Sequence, residues 1–151
     1  MKVKLSIRTL MSLFVVSTMV LALTSVAIAE EKPKAKHNIV FQVSSADPAA
    51  QTIVLNNAIN VQKAIGMDNI NIEVVAYGPG LGLLTPKNKQ AIRVKSLAAQ
   101  GIVFSACGNT MKKIEKKTGK KVKLTEGVRV VPGGVIRIME LQEDGWTYIR
   151  P

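Results

Sequence analysis

The sequence predicts an α/β domain: a three-layer sandwich with a mostly parallel sheet of about five strands and helices on both faces. Three observations predict it. Short β-branched and aromatic runs alternate along the chain with segments of helical spacing. The links between them are short, as in strand–helix–strand units. "IVFSA" (102–106) is continuous and apolar, which suits a strand buried on both faces. Right-handed crossovers between parallel strands distribute helices over the two faces. Strand order is not encoded in such a pattern.

The elements follow in order. "HNIVFQVSS" (37–45) reads as the first strand. Asp47 can cap a helix that has Pro48 at its first position. Ile53, Val54, Asn57, Ala58, Val61 and Ile65 then recur at helical spacing, and Gly66 stops the helix. "NINIEVVAYG" (69–78) reads as the second strand, ended by Gly78-Pro79-Gly80. "TPKNKQAIRVKSLAAQG" (85–101) predicts a helix with Thr85 as N-cap, Pro86 at its first position and Gly101 past its end. The third strand (102–106) leads into a short helix, "NTMKKIEKKTG" (109–119), with Met111 and Ile114 inward and lysines outward. "KKVKLTEG" (120–127) is a polar connection and "VRVV" (128–131) a fourth strand. "PGGVIRIMELQEDG" (132–145) predicts a helix that opens after Pro132-Gly133 and closes at Gly145. "WTYIRP" (146–151) is a last short strand whose alternating Trp146 and Tyr148 are expected to pack. Met67, Met111 and Met139 read as core or interface fillers.

The start of the chain reads as a targeting segment. Lys2, Lys4 and Arg8 precede a nearly uncharged run from Leu10 to Ile28, and Ala27-Ile28-Ala29 has the small-x-small pattern of a signal-peptidase site. A membrane anchor competes, because the run approaches spanning length. The charged Glu30-Glu31-Lys32 after the site favours cleavage after Ala29. The expected organisation is a signal peptide over 1–29, a charged linker over 30–36 and one domain over 37–151. The mature protein is then periplasmic or secreted, with no stable membrane anchor. Residues 1–29 carry 3 of the 21 basic residues and none of the 10 acidic ones, so the mature chain holds a formal net charge of +8. That charge suits anions, acidic partners or anionic lipid heads. Nucleic acid is not an expected partner, given export and an aromatic content of only 4%.

The chain has one cysteine, so an internal disulfide is excluded. In an exported protein an odd cysteine points to intermolecular pairing or a reactive thiol. A buried cysteine acting as a small hydrophobe is the alternative. Position bears on the choice. Binding sites in open α/β sheets lie beyond the carboxyl ends of the strands. The loops "SSADP", "YGPGLGL", "ACGN" and "VPGG" lie there, three of them glycine-rich. Cys107 is in the third, directly before a helix. A helix start presents unpaired N–H groups and partial positive charge, and both favour thiolate over thiol. Lys112 and Lys113 on the first turn add positive charge if they point that way. These arguments favour a reactive thiol at Cys107. Ligand contacts are expected from Gly78, Gly80, Gly108, Asn109, Thr110 and Gly133.

Other chemistries are excluded or weak. The sole histidine, His37, precedes the first strand, at the opposite end of a parallel sheet from Cys107, so no Cys–His dyad forms. One histidine and one cysteine are too few for an ordinary zinc site, and no metal or cofactor is expected. "GPGLG" and "TGKK" lack the spacing of dinucleotide and P-loop motifs. Glu73, within the second strand, could reach a buried partner, but an edge position or an interface contact is the favoured reading. The lysines at 112, 113, 116, 117, 120, 121 and 123 read as a solvated face, or as an anion-attracting rim near the thiol.

The segments "HNIVFQVSS", "NIEVVAYGPGLGLL", "GIVFSACGNTM" and "VPGGVIRIMELQEDGWTYIRP" together resemble the DsrE/DsrF-like sulfur-relay family, specifically its exported single-domain members. The resemblance runs from His37 to Pro151. It implies a compact α/β fold that associates into homotrimers or hexamers. It also implies that the cysteine after the third strand, here Cys107, carries sulfur as a persulfide between a donor and an acceptor. The cytoplasmic relay partners of the family do not carry over to an exported chain. The rival reading is a non-catalytic oligomeric module that binds a small anion or a partner in the glycine-lined cleft.

Overall fold

The computed structural model describes residues 37–151; the signal-peptide and linker readings over 1–36 lie outside the described residues. The element order is β1 (His37–Val43), α1 (Pro48–Ile65), β2 (Ile70–Ala76), a 3-10 helix (Gly78–Leu84), α2 (Ala91–Ala99), β3 (Val103–Cys107), α3 (Gly108–Thr118), β4 (Val128–Val131), α4 (Gly134–Glu143) and β5 (Thr147–Ile149). A one-turn 3-10 helix, Met67–Asn69, precedes β2. The five strands form one parallel sheet in the order β4-β3-β2-β1-β5.

That order explains the layers. From β1 to β4 each crossover steps to the next strand in one direction, so right-handed connections put α1, α2 and α3 on the same face. After β4 the chain returns across the whole sheet to pair β5 with β1. The direction has reversed, so α4 lies on the other face. The main core is built accordingly from alternate strand residues such as Phe41, Val74 and Phe104, against Val54, Leu55 and Ala58 of α1 and Val94 and Leu97 of α2. Met111 and Ile114 of α3 pack on its margin. On the second face Val40 and Val75 meet Ile138 and Leu141 of α4, flanked by Tyr77 and Trp146. Tyr148 points the same way and donates its hydroxyl to Gln42 Oε1 at 2.6 Å.

The sequence signals account for most boundaries. Asp47 accepts from the Ala49 and Ala50 N–H groups, with Pro48 at the first helical position, and the helix ends at Gly66. Several boundaries differ from expectation by one or two residues, as at β2 and β5, and two differences have a visible cause. β1 ends at Val43 rather than 45, because Ser45 turns to accept the Asp47 N–H. The helix expected from Thr85 begins only at Ala91. "GPGLGLL" folds instead into the 3-10 helix, which buries Leu81, Leu83 and Leu84. Thr85 closes that helix: its N–H and its hydroxyl both donate to the Gly82 carbonyl. Asn88 then starts the turn into α2 by accepting the Gln90 N–H.

Glu73 is a correction. The favoured edge or interface position does not hold: β2 is the central strand and Glu73 is 1% exposed on the α4 face, where it reaches buried partners, the alternative reading.

Gly80 is needed for close approach: a Cβ there would collide with the Val43 carbonyl at the end of β1. Gly82, two residues on, faces open space. Gly80→Ala is expected to lower stability by about 1–3 kcal/mol, the usual cost of overpacking. Gly82→Ala is expected to stay within about 0.5 kcal/mol of the parent. Denaturant midpoints of the two variants provide the check.

Candidate functional site

Cys107 is the last residue of β3 and the N-cap of α3. Side chains alternate along a strand, so Cys107 shares the α4 face with Ser105. The thiol is 5% exposed. It lies where two helices begin. The first turn of α3 contributes Asn109 and Thr110, and the start of α4 contributes Gly134. Burial pushes the thiol up. The Thr110 hydroxyl and the N–H groups of Thr110, Gly134 and Asn109 outweigh it and hold the thiol below its ordinary value. Neither α3 N–H closes a capping hydrogen bond with the neutral thiol. Neutral sulfur is a weak acceptor, so these donors act mainly on the thiolate. Lys112 and Lys113 are exposed and are not among the leading contributions to the shift, which come from Thr110, Gly134 and Asn109.

The expected ligand residues have different places. Thr110 accepts the Gly78 N–H at 2.9 Å. Its single hydroxyl hydrogen is thereby left for the sulfur. Gly78, at φ +52°, thus orients Thr110 from the end of β2. Gly108 lets the chain pass the β4–α4 turn, where a Cβ would lie 3.1 Å from the Val131 carbonyl. Asn109 ties the same turn by donating its N–H to the Pro132 carbonyl at 3.2 Å. Gly133 is the N-cap of α4, beside the Asn109 amide. Gly80 packs against the end of β1 and not against the thiol turn. Gly134, which sequence reasoning missed, adds its N–H to those of Asn109 and Thr110 at the sulfur. A Cβ on it would press Tyr77 at 2.9 Å, so a glycine lets α4 begin this close. The signal was the second glycine of "PGG".

Beside this turn, Arg129 and Arg137 line a cavity of about 220 Å3. Both are committed to Glu73. Arg137 donates Nε to Oε1 at 3.1 Å and Nη2 to Oε2 at 3.0 Å. Arg129 Nη2 lies 2.8 Å from Oε2, and Ser105 donates to Oε1 at 2.6 Å. Arg129 Nε also donates to the Ser105 hydroxyl. Burial pushes the Glu73 carboxyl up, but Arg137, Ser105 and Arg129 together hold it below the usual carboxylate range. No three His, Cys, Asp or Glu side chains converge on a metal position among the described residues.

Two predictions follow from this geometry. Thr110→Val removes the hydroxyl on the sulfur, so the thiolate absorbance of Cys107 should appear at higher pH than in the parent. Thr110→Ser should restore the parent midpoint, and Cys107→Ser should abolish the step. For Glu73, a depressed carboxyl contributes stability that is present above the ordinary Glu value and is lost as pH falls through the folded value. Removing both arginines in Arg129→Ala/Arg137→Ala leaves the buried carboxylate with the Ser105 hydroxyl but no counter-charge. It should cost about 3–5 kcal/mol at neutral pH. The gap to the parent should narrow in acid, as urea unfolding across pH would show.

Comparison with known proteins places this geometry. A solved protein of unknown function from Methanobacterium thermoautotrophicum is 33% identical, with a TM-score of 0.69 over 76% of this chain and 99% of its own. The ychN protein of E. coli, at 14% identity and a TM-score of 0.61, covers the same shares and has the same fold. No curated protein matches. The profile of the DsrE/DsrF-like family matches residues 37–151, and the chain belongs to that family.

Proposed function

We propose that Cys107 is a sulfur carrier, taking sulfane sulfur as a persulfide and handing it to an acceptor thiol. The observation that carries this reading is the lone thiol, held below its ordinary value by the starts of two helices. The Cys107 thiolate attacks the outer sulfur of a donor persulfide. The donor's S–S bond breaks, its inner sulfur leaves as a thiolate, and a new S–S bond forms on Cys107. An acceptor thiolate then takes the outer sulfur by the same exchange, and no net oxidant is needed. The persulfide is an anion, and the N–H groups that favour the thiolate also favour it.

The proposal extends to setting and assembly. The mature chain works in the periplasm or outside the cell, with a protein or small-molecule donor and acceptor. It assembles as a homotrimer or hexamer. Val130, Val135, Ile136 and Met139, all at least half exposed around β4 and α4, support self-association.

The burial of Cys107 favours a second reading, in which the thiol is a small core residue and the domain is a non-catalytic module for a small anion or partner. Polysulfide treatment followed by intact-mass measurement separates the two. The carrier reading expects a gain of one sulfur atom that reductant removes and Cys107→Ser abolishes. No adduct, with slow alkylation at neutral pH, would sink it.

A further inference from the structure

We propose that a lysine-walled groove along α3 docks an acidic segment of a partner protein, with apolar side chains on its floor, and delivers that segment to Cys107. The groove has two continuous parts. The outer part, about 730 Å3, is lined by Thr85, Pro86 and Lys87 together with residues 120–123. Ile114 and Val122 give it an apolar floor. The inner part, about 400 Å3, runs past Lys113 and Lys117 to Thr110 and Gly78. Ile114 lines both parts. The inner end is therefore Thr110, whose hydroxyl interacts with the Cys107 sulfur.

Charge selects the occupant. Lys87, Lys113, Lys117, Lys120, Lys121 and Lys123 line the two parts, and no carboxylate does. The acidic residue on this helix is used for construction: Glu115 Oε1 accepts the Val122 N–H at 3.1 Å and fixes the 120–123 wall. The wall is anchored again where the Thr125 N–H donates to the Leu84 carbonyl. Residues 120–125 thus keep a set path without helix or strand, and the groove is preformed. Lys87 and the lysines at 120, 121 and 123 line one concavity, whose floor a protein segment can reach and a flat lipid surface cannot. The eleven residues of α3 are roughly 16 Å long, a span for roughly five extended residues.

Docking as such needs no sulfur chemistry; only its purpose at Cys107 rests on the carrier reading. The probe is a fluorescently labelled peptide of alternating glutamate and leucine, titrated with the full mature chain. Saturable binding is expected, at least about tenfold weaker in high salt or in Lys113→Glu/Lys117→Glu/Lys121→Glu, whose lysines are all exposed. Cys107→Ser should bind like the parent. Binding that persists in this variant without a sulfur adduct on the parent upholds the groove while the carrier reading falls. Absent peptide binding, equal binding by the charge-reversed protein, or binding only to phosphatidylglycerol vesicles overturns the groove proposal.

Discussion

The return of the chain from β4 to the far edge of the sheet governs everything on the second face. Three crossovers in one direction place three helices on one side, and the reversal leaves α4 alone on the other. A single ten-residue helix must then cover the α4 face of β1, β2 and β3. It does so with a small apolar cluster at one end and an ion cluster in the middle. Its first residue comes to rest at the end of β3, on the cysteine. The handedness of one connection thus decides where the thiol finds its second helix start.

Glu73 shows what such a sparse cover requires. A carboxylate in the central strand is costly unless its charge and lone pairs are met. Here a bidentate arginine from α4, a second arginine from β4 and a hydroxyl from β3 meet them. Arg137 lies one turn into α4, so its fork on Glu73 also holds the start of that helix against the sheet. The two arginines are consumed by this duty. The thiol nearby takes its anion preference from backbone dipoles and one hydroxyl instead.

This division explains what could be read from the sequence. Asp47-Pro48, Gly66 and Gly101 act locally, and a local signal is visible in one chain. The strand-to-helix switch at Cys107 is local too, so the thiol and the donors at 109 and 110 were legible. Glu73 was not. Its partners lie 32, 56 and 64 residues away, and nothing in "NIEVV" says which residues they are. Gly134 was missed for the same reason, since its contact with Cys107 exists only once strand order is known. The helix start expected at Thr85 failed differently. Thr-Pro reads as a helix opening, but the buried leucines of "GLGLL" claimed the preceding turn, and Thr85 closed it.

Burial of the thiol is compatible with the proposed carrier role, because the reacting atom would change once sulfur is loaded. An S–S bond is about 2.05 Å long, so the outer sulfur of a persulfide stands about 2 Å from Sγ, beyond the buried atom. The buried Sγ remains among the N–H groups of Asn109, Thr110 and Gly134. A bulky thiol attacking the inner sulfur would have to enter a site that is 5% exposed, and would release hydrosulfide. Attack on the outer sulfur needs no such entry. Burial therefore favours transfer over loss, and it does so by geometry, with no additional catalytic group.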